Sequence, residues 1–102
     1  MTAAVISRRA ERELLEAALW MARDNRAAAE AFRAAVIGAA ELIGRRPGIG
    51  VRRPQLASEL YRFFSLRGFP YIIVYTTVET PPRIVRVVHG ARDLPSVLRD
   101  LR

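Results

Sequence analysis

The side chains that could take part in catalysis gather near the C-terminus, where the single histidine, His89, is followed by Arg92, Asp93 and Ser96. A histidine, a carboxylate and a hydroxyl could form a nucleophilic triad, in which the histidine accepts the serine proton. A nucleophilic serine of that kind sits on a strained, glycine-flanked turn, and the sequence around Ser96 has none. We therefore favour a strand-end motif, in which His89 and Asp93 bond to backbone groups where a strand stops at Gly90.

The second group with chemical potential is basic. Seventeen basic residues, all of them arginine, stand against ten acidic ones, which gives a net charge of +7. Such a surface favours an acidic partner, either nucleic acid or an acidic protein. Arg62 and Arg86 are unusual because each lies inside a strongly apolar run. They either reach solvent from the sheet or form, with Arg92 and the arginines at 45, 46, 52 and 53, a basic patch for phosphate or carboxylate.

Composition excludes several classes of site. Cysteine is absent, so disulfides are excluded, and a single histidine argues against a zinc or haem site. We expect no cofactor and no metal. No window is long and apolar enough to span a bilayer, and the N-terminus lacks a signal pattern, so a cytoplasmic protein that does not contact membranes is expected. With 102 residues, the chain suits one domain, 1–102.

The first half of the chain predicts two helices. Ser7 is a candidate N-cap for a helix over residues 8–23, preceded by a short strand over 3–7. Asn25 is the candidate cap of a second helix over 26–43, which Gly44 would end. A link this short makes the two helices an antiparallel hairpin.

The helical wheels sort the side chains of the hairpin into faces. On the first helix, Leu15, Leu19 and Ala22 are expected to widen the buried stripe. Most acidic residues are expected on solvated outer faces beside arginines; examples are Glu13, Glu16 and Glu30. Trp20 and Ile37 are large apolar residues on those polar faces, which predicts a docking surface. The alternative for Trp20 is that it covers the hairpin link.

The second half predicts a sheet. A broken segment over 44–54, rich in glycine, proline and arginine, is expected to be a basic loop. Three strand-like runs follow, "ELYRFFSL", "PYIIVYTTV" and "RIVRVVHG", and then a short helix or tail after Pro95. The order β-α-α-β-β-β predicts an α+β fold, with the helical hairpin on one face of a small, mainly antiparallel four-stranded sheet. The other face is expected to be open to water or to a partner.

These segments together resemble a known family. Five features are similar to the ParE branch of the RelE/ParE toxins, from bacterial type II toxin–antitoxin systems: "WMARDNRAAAEAF" at the hairpin link, the loop around Pro47 and Gly50, Arg62 before the aromatic pair, "YIIVY" in the central strand, and "HGARDL" at the end of the last strand. The resemblance covers about residues 5 to 98. It implies a β-α-α-β-β-β toxin fold and a cognate antitoxin. ParE-like members are described as inhibiting DNA gyrase, and RelE-like members as cutting mRNA on the ribosome.

The resemblance also separates the two activities. The RelE-like pattern has an arginine where this chain has Ile72, lysines where it has Phe63 and Ser65, and a tyrosine where it has Leu98. Arg92 alone matches. These replacements can neither transfer protons nor neutralise a charged transition state, so ribonuclease chemistry of that design is disfavoured.

Three functions are therefore carried forward. The first is a non-enzymatic gyrase inhibitor, neutralised by an acidic ParD-like antitoxin in a hetero-oligomer. Its expected contacts are Arg62, Arg86 and Arg92 for charge, and Trp20 and Ile37 for apolar anchoring. The second is a ribosome-dependent mRNA endonuclease with a rearranged site built from His89, Arg62 and Arg92. The third is a plain nucleic-acid-binding domain, which is disfavoured because no recognition motif is present and no sequence-specific binding is expected.

Overall fold

The computed structural model describes residues 2–102 and confirms the α+β class. The elements are strand β1 (Val5–Ile6), helices α1 (Arg8–Ala22) and α2 (Arg26–Arg45), strands β2 (Tyr61–Ser65), β3 (Tyr71–Thr76) and β4 (Arg83–His89), a one-turn helix α3 (Leu94–Val97), and a 3-10 turn (Arg99–Leu101). The predicted order of helices and strands is therefore confirmed, and the segment after Pro95 is helical.

Both predicted helix caps are present. The Ser7 hydroxyl accepts a hydrogen bond from the Ala10 amide (3.1 Å), and the Asn25 side chain accepts one from the Ala28 amide (3.0 Å). These bonds satisfy amides at the helix start that have no partner within the helix. The predicted stop at Gly44 is wrong, because α2 continues to Arg45. Gly44 instead allows α2 to pass close to the backbone that precedes β1, since a side-chain carbon at Gly44 would lie 2.8 Å from the Cα atom of Ala3.

The sheet has the order β1-β4-β3-β2. β1 pairs with β4 in parallel, whereas β4–β3 and β3–β2 are antiparallel. β1 is only two residues long and meets Arg83 and Ile84, so the part of β4 from residue 85 onward has no strand beside it on that side. α1 runs along this uncovered edge. The mixed sheet therefore agrees with the predicted mainly antiparallel arrangement.

The main core lies between the helical hairpin and the sheet. Phe32, Val36 and Ile43 from α2 pack against Ile73 and Ile84, and all five are fully buried. Because α1 and α2 each direct one apolar stripe at the sheet, the two layers exclude water from its central strands.

The second face of the sheet, opposite the hairpin, is not open, and that prediction is wrong. Leu56 and Ala57 from the loop before β2, with Leu98 and Leu101 from the C-terminal segment, form an apolar cluster with the strand residues Phe63, Val74 and Val88. The Ser58 amide donates to the Leu101 carbonyl (2.8 Å), which joins the two covering segments. Apolar side chains on both faces of β3 make this second layer necessary, because an exposed face would leave Val74 in water.

The predicted widening of the buried stripe on α1 is also wrong. Leu15 and Ala22 are exposed, and Leu19 is 70% exposed. The wheel placed these residues next to buried positions, but α2 and the sheet cover only the side of α1 that carries Ala10, Leu14 and Ala17. The hairpin consequently presents apolar side chains to solvent.

Candidate functional site

An open cleft of about 490 Å³ lies between α1 and the uncovered edge of β4. We call it the α1–β4 cleft. Three arginines and two glutamates line it together with strand residues: Arg9, Arg12, Glu13, Glu16, Ala17, Tyr71, Val87, Val88, His89 and Arg92. Of the predicted site residues, it brings together His89 and Arg92.

Glu13, on the wall of this cleft, forms an ion pair with the buried Arg86. The Glu13 carboxylate accepts hydrogen bonds from Arg86 Nε (3.1 and 3.0 Å), from Arg86 Nη2 (2.8 Å) and from the Val87 amide (2.9 Å). Arg86 is 4% exposed and Glu13 is 19% exposed. The prediction that Glu13 is a solvated surface group is therefore wrong. The carboxylate bonds to the edge of β4 at a point where β1 is too short to do so.

Arg86 also holds the C-terminal segment. Its Nη1 donates to the Val97 carbonyl (2.8 Å) and lies 3.6 Å from Asp100 Oδ1, while Asp100 Oδ2 accepts from Arg9 Nη1 (2.6 Å). Neither interpretation from the sequence, an arginine reaching into solvent or a basic patch, fits this geometry. The guanidinium is satisfied inside the protein, so the prediction of Arg86 as a direct partner contact is corrected.

The residues of the strand-end motif do not form a triad. His89 Nδ1 accepts a hydrogen bond from the Ala91 amide (3.0 Å), and its ring packs edge-on against Tyr71, with 5.0 Å between centroids. The Asp93 carbonyl accepts from the Ser96 and Val97 amides, while the Asp93 side chain makes no capping bond. The Ser96 hydroxyl accepts from Arg99 (3.2 Å). His89 and Ser96 therefore bond to different groups and not to each other.

Arg62 lies at the opposite edge of the sheet. Its Nη1 donates to the Gly50 carbonyl (2.8 Å) and, more weakly, to the Gly48 carbonyl (3.4 Å). β3 separates β2 from β4, so Arg62 lies roughly 10 Å from β4 across the sheet. Its distance from His89, at the end of β4, is greater still because the two residues are also offset along the strands. The rearranged site of Arg62, His89 and Arg92 is not assembled.

Tyr75 is a residue of structural importance that the sequence reasoning missed. Its hydroxyl donates to the Pro47 carbonyl (2.7 Å) and accepts from the Gly50 amide (2.8 Å). Burial raises the pKa of the Tyr75 phenol above its ordinary value of 10.0, although the Gly50 bond and the nearby Arg62 charge act in the opposite direction. The available signal was a tyrosine inside an apolar strand beside a glycine-rich loop, since a buried hydroxyl needs partners.

The positions at which the RelE-like pattern has catalytic side chains share the second face of the sheet. Phe63 and Leu98 belong to the apolar cluster on that face, Leu98 is fully buried, and the half-buried Ile72 packs against the cluster. Ser65 pairs with Ile72 across the strands and is exposed. Arg92, the one match, lines the α1–β4 cleft instead. The four replaced positions are thus close together, but without charge.

Trp20 and Ile37 are both exposed, at 67% and 53%. Trp20 follows Glu16 by one helical turn, so it lies on the same side of α1 as the α1–β4 cleft and extends it toward the hairpin link. The Arg23 guanidinium lies 5.0 Å from the centroid of its ring. Ile37 is on α2, which contributes no lining residue to the cleft. The two residues therefore belong to different surfaces.

Residues 2–102 contain no cluster of three or more histidine, cysteine or acidic residues able to hold a metal ion. That part of the chain also holds no helix with the length and apolar character needed to cross a membrane.

Comparison with known proteins gives one family. A search of curated proteins finds no match. The sequence model described as the ParE toxin of the type II toxin–antitoxin system parDE matches residues 4–94, which includes every strand, both long helices and the α1–β4 cleft. The chain belongs to the ParE toxin family of type II toxin–antitoxin systems.

Proposed function

We propose that this toxin inhibits DNA gyrase by binding to it in the cytoplasm, without catalysing a reaction. The observation that carries the proposal is that Phe63 and Leu98 lie in the apolar cluster on the second face of the sheet and that Ile72 packs against it. Proton transfer needs side chains that gain and lose protons near neutral pH, and none of these can do so. Family membership supports a toxin that acts on a macromolecule.

We further propose that a ParD-like antitoxin neutralises the toxin by covering the α1–β4 cleft. The cleft offers Arg12 and Arg92, which are exposed, for carboxylates, and Trp20 beside it for an apolar anchor. An acidic, amphipathic segment has the chemistry to use both. A tryptophan with arginines around it is typical of residues that dominate binding energy at interfaces.

The remaining candidate contacts have different roles in this proposal. Ile37, exposed on α2, is available to a second partner such as gyrase. Arg62 is half-buried at the edge of β2 and orders the loop on which other arginines lie. Arg86 acts indirectly, by holding the Glu13 wall of the cleft and the C-terminal segment.

A supercoiling assay with purified gyrase and relaxed plasmid tests the proposal. We expect the toxin to abolish supercoiling, and the antitoxin encoded with it to restore supercoiling. Trp20 is the single tryptophan of the chain, so its fluorescence should shift to shorter wavelength as the antitoxin excludes water from it. Undiminished supercoiling at excess toxin contradicts gyrase inhibition, and unchanged fluorescence in the complex contradicts the placement of the antitoxin.

The ribonuclease alternative is tested in parallel in a cell-free translation reaction. Our proposal predicts intact mRNA in the presence of the toxin. Codon-positioned cuts that disappear in His89→Ala, while Ser65→Ala cuts as the wild type does, would establish the alternative instead. His89 is the informative position because it and Arg92 line the same cleft.

A further inference from the structure

We propose that the basic loop, residues 44–54, binds the phosphate backbone of duplex DNA without sequence preference. The inference rests on the proposed function, because gyrase holds a DNA duplex and a toxin bound to gyrase could contact both. It adds a second ligand, nucleic acid, at a surface distinct from the α1–β4 cleft. The loop lies beside β2, at the opposite edge of the sheet from that cleft.

The charge of the molecule is concentrated in this loop. Arg45, Arg46, Arg52 and Arg53 supply four of the seven net positive charges, and no acidic residue lies between Glu41 and Glu59. All four arginines are exposed. Among residues 2–102, the ion pairs join Arg9 and Arg86 to carboxylates and include no arginine of the loop. The arginines of α1, in contrast, alternate with glutamates.

The loop is held in one conformation by bonds to the sheet. Tyr75 bonds to Pro47 and Gly50, and Val51 exchanges two backbone hydrogen bonds with Phe63 (2.9 and 2.7 Å). A side-chain carbon at Gly50 would lie 2.8 Å from the Tyr75 hydroxyl, so only glycine fits this close approach. Arg45 is the last residue of α2, and Arg46 caps that helix by donating its amide to the Leu42 carbonyl. The backbone that carries the four arginines is therefore ordered before any ligand arrives, which lowers the entropic cost of binding.

Local contacts also orient the second pair of arginines. Arg52 donates through Nε to the Glu59 carbonyl (3.2 Å), and the Arg53 guanidinium lies 5.9 Å from the centroid of the Phe63 ring. Neither contact neutralises the guanidinium charge. Phosphate favours arginine because the planar group donates two parallel hydrogen bonds to it. A regular phosphate backbone fits four cations without intervening carboxylates. An amphipathic acidic peptide needs a row of apolar anchors as well, whereas the large apolar side chain that this loop exposes is Val51, at 55%.

Binding of the isolated toxin to a fluorescent DNA duplex, measured at several salt concentrations, tests the inference without gyrase. Four phosphate contacts predict that log K falls with log salt with a slope of about −3.6, at about −0.9 per contact. The variant with Arg45, Arg46, Arg52 and Arg53 all replaced by Gln should lose most of this slope. The control replaces four exposed arginines elsewhere, Arg8, Arg26, Arg33 and Arg67, with Gln. The control has the same net charge as the loop variant, but it should retain the salt dependence of the wild type.

The supercoiling assay then separates this inference from the proposed function. If the wild type does not inhibit gyrase, the proposed function fails, whereas the duplex measurement still decides whether the loop binds DNA. If the wild type inhibits gyrase and binds the duplex, the loop variant should need a higher concentration than the control for the same inhibition. Equal slopes in the loop variant and the control would overturn the inference. So would a loop that binds a polyglutamate peptide but not the duplex, because its ligand would then be an acidic protein.

Discussion

The two edges of the sheet are closed in different ways. At the β4 edge, a carboxylate from α1 bonds to a buried guanidinium and to a backbone amide, through Glu13, Arg86 and Val87. At the β2 edge, a neutral hydroxyl and a half-buried arginine bond to carbonyls and an amide of the basic loop, through Tyr75 and Arg62. One edge depends on paired charges, and the other on hydrogen bonds to the backbone.

This difference determines how much each edge tolerates change. A buried charge that loses its partner keeps the full cost of leaving water, whereas a backbone group near the surface can recover part of its bonding from solvent. The edge with the ion pair also faces the proposed antitoxin, and the edge with the hydroxyl carries the proposed DNA-binding loop. Damage to the first should lower the stability of the whole fold, while damage to the second should mainly loosen the loop.

The largest effect is expected from Glu13→Gln. The amide keeps the shape of the side chain but leaves the Arg86 guanidinium without its carboxylate at 4% exposure. We expect the free energy of unfolding to fall by about 3 kcal/mol, the lower end of the range for breaking a buried pair, because Asp100 lies 3.6 Å away. Urea denaturation measures this change.

Glu16→Gln is the matched control for Glu13, because Glu16 lies on the same helix and is exposed. It should change the free energy of unfolding by no more than about 0.5 kcal/mol. Equal effects of the two substitutions would mean that the ion pair contributes nothing specific, and the contrast between the two edges would be lost.

A smaller effect is expected from Tyr75→Phe. This change leaves the Gly50 amide and the Pro47 carbonyl without the hydroxyl that joins them, and it should cost about 1–3 kcal/mol in the free energy of unfolding. Tyr61→Phe serves as the control, since Tyr61 is half-buried and makes no side-chain hydrogen bond to residues 2–102 that would be lost. Faster amide exchange at Gly50 and Val51 in Tyr75→Phe should show that the basic loop has loosened.

The smallest effect is expected from pH. Because burial raises the pKa of Tyr75, the folded protein retains a proton that the unfolded chain releases above pH 10.0. The unfolded state then binds fewer protons, so the free energy of unfolding should decrease as the pH rises above that value. The stabilisation is fully present below pH 10.0 and is lost as the pH passes through the raised pKa of the folded state.

Unfolding curves of the wild type and of Tyr75→Phe, from about pH 8 to about pH 11, measure this dependence. The wild type should lose stability more steeply with pH than the variant does. The chain contains no lysine and no cysteine, so no side chain of those two types contributes to the pH dependence in this range. Parallel curves would show that the Tyr75 proton is not linked to folding.

The helices and strands could be predicted from the sequence because their signals are local. Ser7 and Asn25 bond to amides three residues away, and apolar spacing fixes which run becomes a helix and which a strand. The mismatch at Phe63, Ile72 and Leu98 with the RelE-like pattern was likewise visible in the residue types. Phe63 and Ile72 share one face of the sheet because side chains alternate along each strand and Phe63 pairs with Val74, two residues after Ile72. Leu98 is not on a strand; it lies in the C-terminal segment that covers this face.

The partners of the buried polar and charged groups could not be predicted, because they are distant in sequence. Glu13 and Arg86 are separated by 73 residues, and Tyr75 and Pro47 by 28. Helical periodicity placed Glu13 on a polar face correctly, but only the packing of α1 against a shortened β1 shows that this face meets the edge of β4. The exposure of Leu19 is decided in the same way, by which side of α1 its neighbours cover.

The sequence by itself determined the order of the elements, the excess of arginine and the absence of acidic residues in the basic loop. The tertiary structure alone decided which arginine is buried beside a carboxylate, which one orders the loop, and which ones remain free for a partner. The physical reason is that secondary structure depends on neighbours a few residues apart, whereas the charge state and exposure of a side chain depend on groups that only folding brings next to it.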